Sequence, residues 1–220
     1  MTEGKDITID DARALVADVV LWPRMRDFLW DFVPQVHESW LDGLGLGTLG
    51  ARSPRVSRFI LSSLGVEPCF HTFPKGDWSR LLLLDGSTIE SVAKWIGALA
   101  LSDQLRRVTD GQVVRELKSS LPGVYPEVFR FSEYFGRWKV GNVECNLEAR
   151  VVCGLGCQAI FALLKTLPAA FLRRLELKLP RDFRVPDAEA PWSSQVSILN
   201  SQFIAKLLRL RFPEAYSLCC

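Results

Sequence analysis

Cys153 and Cys157 stand four residues apart in an apolar stretch. On a helix that spacing puts both thiols on one face, where a metal could bind two of them. A structural zinc takes about four N, S or O ligands. Cys145 is two helical turns before Cys153, and neither His37 nor His71 is local, so the shell does not complete itself. The pair therefore reads as core: with Ala149 and Gly156 it forms a small-residue face that a neighbouring helix can approach closely. Cysteines at 69, 145, 153, 157, 219 and 220 lack the paired spacing of a disulfide framework and are expected to be reduced. Cys219-Cys220 reads as an exposed tail.

Gly45-Leu-Gly47-Thr-Leu-Gly50 has the glycine spacing of a dinucleotide-binding loop. That chemistry needs a strand before the glycines and a helix directly after them. Here the helical-looking VHESWLD precedes, and the next helix starts only at Pro54, so an interhelical turn is expected. His37 lies beside Glu38 and Trp40, and His71 between Phe70 and Phe73; neither sits in a catalytic motif. Each is expected to be structural or at the surface. No catalytic residue, metal or cofactor is assigned.

The chain of 220 residues is 48% hydrophobic and 24% charged, which suits a single globular domain over 1–220. A net charge of +2 argues against a dedicated nucleic-acid binder. The N-terminus has no basic segment followed by an apolar one, so no secretory signal is expected. The uncharged run between Arg150 and Lys165 is shorter than the ~18–20 residues of a membrane span. These features point to the cytoplasm.

The elements that must position all of this are helices. The expected fold class is all-α: a compact multi-helix domain with irregular loops and at most a short strand. Ser87 and Glu90 have capping-box spacing, so a helix is expected to start there. Ile89, Val92, Ala93, Ile96, Gly97 and Ala100 then fall on one face, with Lys94 opposite. Before it, Leu81–Leu84 fits a short buried strand or a loop, and irregular structure is favoured.

Further helices are expected over Asp10–Leu21, ending before Pro23, with Ala14, Leu15, Val16 and Val19 inward, and over Arg24–Val33. Others follow at Pro34–Trp40, Pro54–Leu64, Asp103–Val108, Asp110–Leu117 and Pro122–Phe135. Glu144–Leu164 is the expected central helix, buried on most sides. Pro168–Leu175 comes next, and Pro180–Pro191 reads as an extended loop. Trp192–Phe212 closes the series, with Val196, Leu199, Phe203, Leu207 and Leu210 in one stripe and Arg209 and Arg211 at its C-terminal end.

The succession LLLL-DG, Trp95-Ile96-Gly97-Ala98-Leu99, RFSEYF at Arg130–Phe135, the Gly154-containing helix and LPAAFLRRLELKLP ending at Pro180 resembles the SctK family. These are sorting-platform proteins of bacterial type III secretion systems, also called YscK-, PscK- or MxiK/OrgA-like. The likeness runs over Leu81–Pro180. It implies a non-catalytic, mostly helical cytoplasmic adaptor. Such an adaptor links the forkhead-associated domain of the inner-membrane ring protein SctD to the SctQ pods, which carry the SctL stalk and the SctN ATPase. Seven Trp and thirteen Phe agree with aromatic interface anchors, or with a Trp-rich core.

Two other classes stay open. A small enzyme would need a site converging on Glu38, His37 or His71. A nucleic-acid binder would need Arg106, Arg107, Arg115 and Lys118 on one face. For the adaptor, the expected partner contact is Arg173, Arg174, Lys178 and Arg181. Phe171, Leu172 and Leu175 would face inward there, leaving the basic residues outside. The alternative is a solvated charged face.

Overall fold

The computed structural model describes residues 9–44, 54–66, 73, 78–135, 148–183 and 201–219. Among them are eleven α-helices and no strand: α1 Ile9–Trp30, α2 Glu38–Leu41, α3 Pro54–Ser63, α4 Gly86–Ala100, α5 Ser102–Leu105 and α6 Gly111–Ser120 come first. α7 Val128–Phe135, α8 Ala149–Leu164, α9 Ala169–Leu177, α10 Ser201–Arg211 and α11 Pro213–Cys219 follow. The all-α expectation is met.

α4 and α8 cross at the centre of the core. α8 is buried on all sides from Val152 to Ile160, which is why no polar face could be read in its sequence. Their crossing is backbone against backbone. A Cβ built on Gly97 would overlap the Val152 carbonyl, and one on Gly156 would overlap the Ala93 carbonyl. Each helix thus supplies a glycine where the other passes, an approach that any side chain would block. The Ile89-to-Ala100 face is buried as expected, and Lys94 pairs with Glu90 at the edge.

Several boundaries differ from expectation. Asp85, rather than Ser87, caps α4: its Oδ1 accepts from the Thr88 N–H at 2.7 Å and from the Ser87 hydroxyl at 2.6 Å, and its Oδ2 from the Thr88 hydroxyl at 2.8 Å. A carboxylate has lone pairs for all three bonds, and Glu90 is taken by Lys94. Burial resists ionisation of Asp85, but the hydrogen bonds from Ser87 and Thr88 outweigh it and hold its carboxyl below the ordinary range.

α1 does not stop before Pro23 but runs through it. Leu21, Met25, Phe28 and Leu29 form one buried stripe across the proline. The bond that proline cannot donate would go to Val19, and both residues are exposed, so water can take the freed carbonyl. Val19 is 68% exposed, against the inward placement expected for it. The side chains of Ala14, Leu15 and Val16 lie outside the description.

Leu81–Leu84 resolves as neither strand nor irregular loop. Ser79–Leu83 is a 3-10 helix with Leu81, Leu82, Leu83 and Leu84 all buried. α7 starts only at Val128; Gly123, at φ 73°, takes a left-handed conformation that ends helical continuation from Pro122. In α10, Phe203 and Leu207 are buried with Ile204 and Leu208, whereas Leu210 is half exposed. Val196 and Leu199 fall outside the description. The chain does not trail off after Pro213, which opens α11; Ala215 of that helix is buried and Cys219 is half-buried against the core.

Candidate partner interface

The basic residues of α9 were expected to face outward as a group. The structure corrects this for Arg174 and Lys178, each 1% exposed. Phe171, Arg174, Leu175 and Lys178 occupy i, i+3, i+4 and i+7, so the helix turns all four toward the core. What waits there is unpaired backbone.

Arg174 donates from Nη1 to the carbonyls of Phe28 and of Leu29, the latter at 3.0 Å, and its guanidinium lies 5.2 Å from the Phe32 ring centre. Those carbonyls belong to the last turn of α1, which has no basic residue of its own. The cation therefore caps a helix C-terminus where its charge is favoured. Lys178 Nζ donates to Leu82 O at 2.7 Å and Leu84 O at 2.8 Å, and the Phe28 ring centre lies 5.1 Å away. Burial pulls the Lys178 pKa down to about 7; Asp85 opposes that shift and Arg24 adds to it. The two carbonyls match the two N–H bonds of a neutral amine. Gly86 completes the contact, since a Cβ there would overlap the Lys178 carbonyl.

Arg173 is half-buried and grips a third segment. Its Nε and Nη2 both donate to Leu64 O, at 3.1 and 3.0 Å, just past α3, while Nη1 pairs with Glu176. Its guanidinium also lies 5.0 Å from the ring centre of Trp40, which donates its indole N–H to Leu179 O at 2.9 Å. Arg181, the fourth member, is exposed with its guanidinium 5.6 Å from the same ring centre. Of the expected cluster, only Arg181 and part of Arg173 can meet a partner without disturbing the fold.

The other candidates are also held structurally. His37 Nδ1 accepts from the Ser39 N–H at 3.2 Å, capping α2. Arg106, Arg107, Arg115 and Lys118 are all exposed; Arg106 donates to Phe129 O at 2.7 Å and to the Ser132 hydroxyl at 2.9 Å, and Arg115 Nε to Gly111 O at 3.2 Å. Cys153 and Cys157 are buried free thiols; burial pushes Cys153 up to about 11 and Cys157 higher still. Among the described residues no group of three or more His, Cys, Asp or Glu is placed to hold a metal. Gly45–Gly50, Cys69, His71, Cys145 and Cys220 lie outside the description.

Three large aromatic side chains are exposed among the described residues. Trp22 is 53% and Trp30 55% exposed on α1, with ring centres 5.7 Å apart, and Phe59 is 58% exposed on α3. The sequence left its tryptophans as interface anchors or as core, and it is the register of α1 around its buried stripe that turns Trp22 and Trp30 outward. Among the described residues no helix is long and apolar enough to cross a membrane.

Among the described residues every regular element is helical, the buried cations Arg174 and Lys178 serve the protein's own backbone, and Trp22, Trp30 and Phe59 stand exposed. The family model for YOP proteins translocation protein K (YscK) matches residues 27–220. The chain therefore belongs to the YscK family and is an SctK-type protein of type III secretion. No curated protein and no solved structure matches it.

Proposed function

We propose that this protein is a non-catalytic cytoplasmic adaptor of the type III secretion sorting platform. It joins the forkhead-associated domain of an SctD-like inner-membrane ring protein to SctQ-like pods, and through them to SctL and the SctN ATPase. Family membership across residues 27–220 carries this reading. The exposed aromatics support it, because Trp and Arg are the side chains most often found as interface anchors. Within the cationic cluster, Arg181 and the exposed edge of Arg173 are the contacts left for a partner.

The test is a bridging assay. Immobilised SctD cytoplasmic domain should retain SctQ only when this protein is added. Retention of SctQ to the same level without it, or binding of this protein to neither partner, overturns the adaptor reading.

A further inference from the structure

α3, Pro54–Ser63, carries the sequence PRVSRFILSS. Ile60 and the following Leu64 are buried, while Arg55, Arg58, Phe59 and Ser62 recur at i, i+3, i+4 and i+7 on the exposed side. The helix contains two arginines and no carboxylate. Neither guanidinium has an ion-pair partner among the described residues. Arg55 lies in the first helical turn, where the backbone dipole is positive and a cation works against the helix. Nothing among the described residues repays that placement. The ridge on α1 differs: there Arg26 is already paired with Asp27, at 2.8 Å, beside Trp22 and Trp30.

We infer that the Arg55–Arg58–Phe59 face of α3 docks an acidic protein surface containing an apolar socket. The inference rests on the adaptor reading and assigns this face to one of its two partners. Carboxylates on the partner supply the counter-charges that the helix lacks, in the bidentate geometry that favours arginine. The socket covers Phe59 and excludes water around the ion pairs, which strengthens them. A second copy of the chain does not fit, because two identical faces would oppose like charges. An anionic membrane is the poorer occupant: two cations and one phenyl ring are a marginal anchor where even a single acyl chain binds only reversibly.

The experiment measures binding of full-length protein to the SctD cytoplasmic domain and to SctQ at low and at physiological salt. The variants are Arg55→Glu with Arg58→Glu, Phe59→Ala, and the conservative Arg55→Lys with Arg58→Lys. Since all three side chains face solvent, circular dichroism and melting should match wild type. For one partner, the reversal and Phe59→Ala should each weaken binding by about tenfold or more. The lysine variant should keep most of the affinity, and wild-type affinity should fall with salt more steeply than that of the reversal. Unchanged affinity for both partners, in folded variants, overturns the α3 assignment and leaves the adaptor standing. So does a defect confined to sedimentation with phosphatidylglycerol vesicles. Failure of wild type to bind either partner removes both.

Discussion

The side-chain nitrogen of Lys178 lies 2.7 Å from the carbonyl oxygen of Leu82, joining residues 96 positions apart. A basic residue in a charged-looking run thus holds the backbone just ahead of α4, and its ionisation is tied to stability. With its folded pKa lowered to about 7 from an unfolded value of 10.5, the unfolded chain binds more protons between those two pH values. Stability should therefore rise with pH through that window, by up to ~1.4 kcal/mol per unit from this group. Comparing wild type with Lys178→Met by denaturant unfolding at pH 7, 8 and 9 checks this. A stability difference that does not change with pH would rule out a neutral buried amine.

Arg174→Met should cost about 2–4 kcal/mol, because the carbonyls of Phe28 and Leu29 lose their buried donor. Arg174→Glu should not fold, since it sets a carboxylate against carbonyl oxygens in the core. Arg181→Glu, on the surface, should melt within a degree or two of wild type. Thermal melts of the three separate a structural cluster from a superficial one.

The glycines of α8 should split sharply. Gly156→Ala should destabilise by about 1–3 kcal/mol or more, because its Cβ meets the backbone of Ala93, which cannot swing away as a side chain can. Gly154→Ala, with nothing within 4 Å of its Cβ, should stabilise by up to ~1 kcal/mol through helix propensity. Equal melting shifts in the two variants would contradict the close crossing of α4 and α8.

Asp85→Ala should cost about 1 kcal/mol as a lost N-cap, and more than Ser87→Ala. Since the carboxyl titrates below its ordinary range, this contribution is present above the unfolded pKa of 3.8 and fades as pH falls through the folded value. Wild type and Asp85→Ala should converge in acid. Urea titrations at pH 7 and pH 3 measure it.

Iodoacetamide at neutral pH should leave Cys153 and Cys157 unmodified in the native protein and label both in denaturant. The half-exposed Cys219 should label first. Peptide mapping by mass spectrometry reads the order directly, and early labelling of Cys153 would mean that its cover opens.

The fold was legible where burial and periodicity agree. The inward face of α4 and the depth of α8 follow from runs that only a core accommodates. Legibility failed where a polar residue held an inward position. Phe171, Arg174, Leu175 and Lys178 are one stripe at helical spacing, but charge read as exposure assigned two of them outward. The acceptors that justify their burial lie 94 to 146 positions earlier, which no local window contains. Pro23 misled for the converse reason: a local helix breaker was overruled by a buried stripe continuing on both sides of it. At α4, Ser87 and Glu90 fit a capping box, yet the better acceptor was Asp85, two residues upstream. The exposed aromatics were the least legible, since whether Phe59 or Trp30 is core or surface depends on register within the packed molecule.

Arg173, Arg174 and Lys178 reach back to carbonyls at residues 64, 28, 29, 82 and 84, all of which leave the ribosome before them. Synthesis therefore delivers the clasp after the parts it fastens. A nascent chain ending at residue 168 holds most of the helical sequence but leaves those carbonyls without the donors that Arg173, Arg174 and Lys178 bring. Translation must pass α9 and Lys178 before these contacts can form, with α10 and α11 still to come.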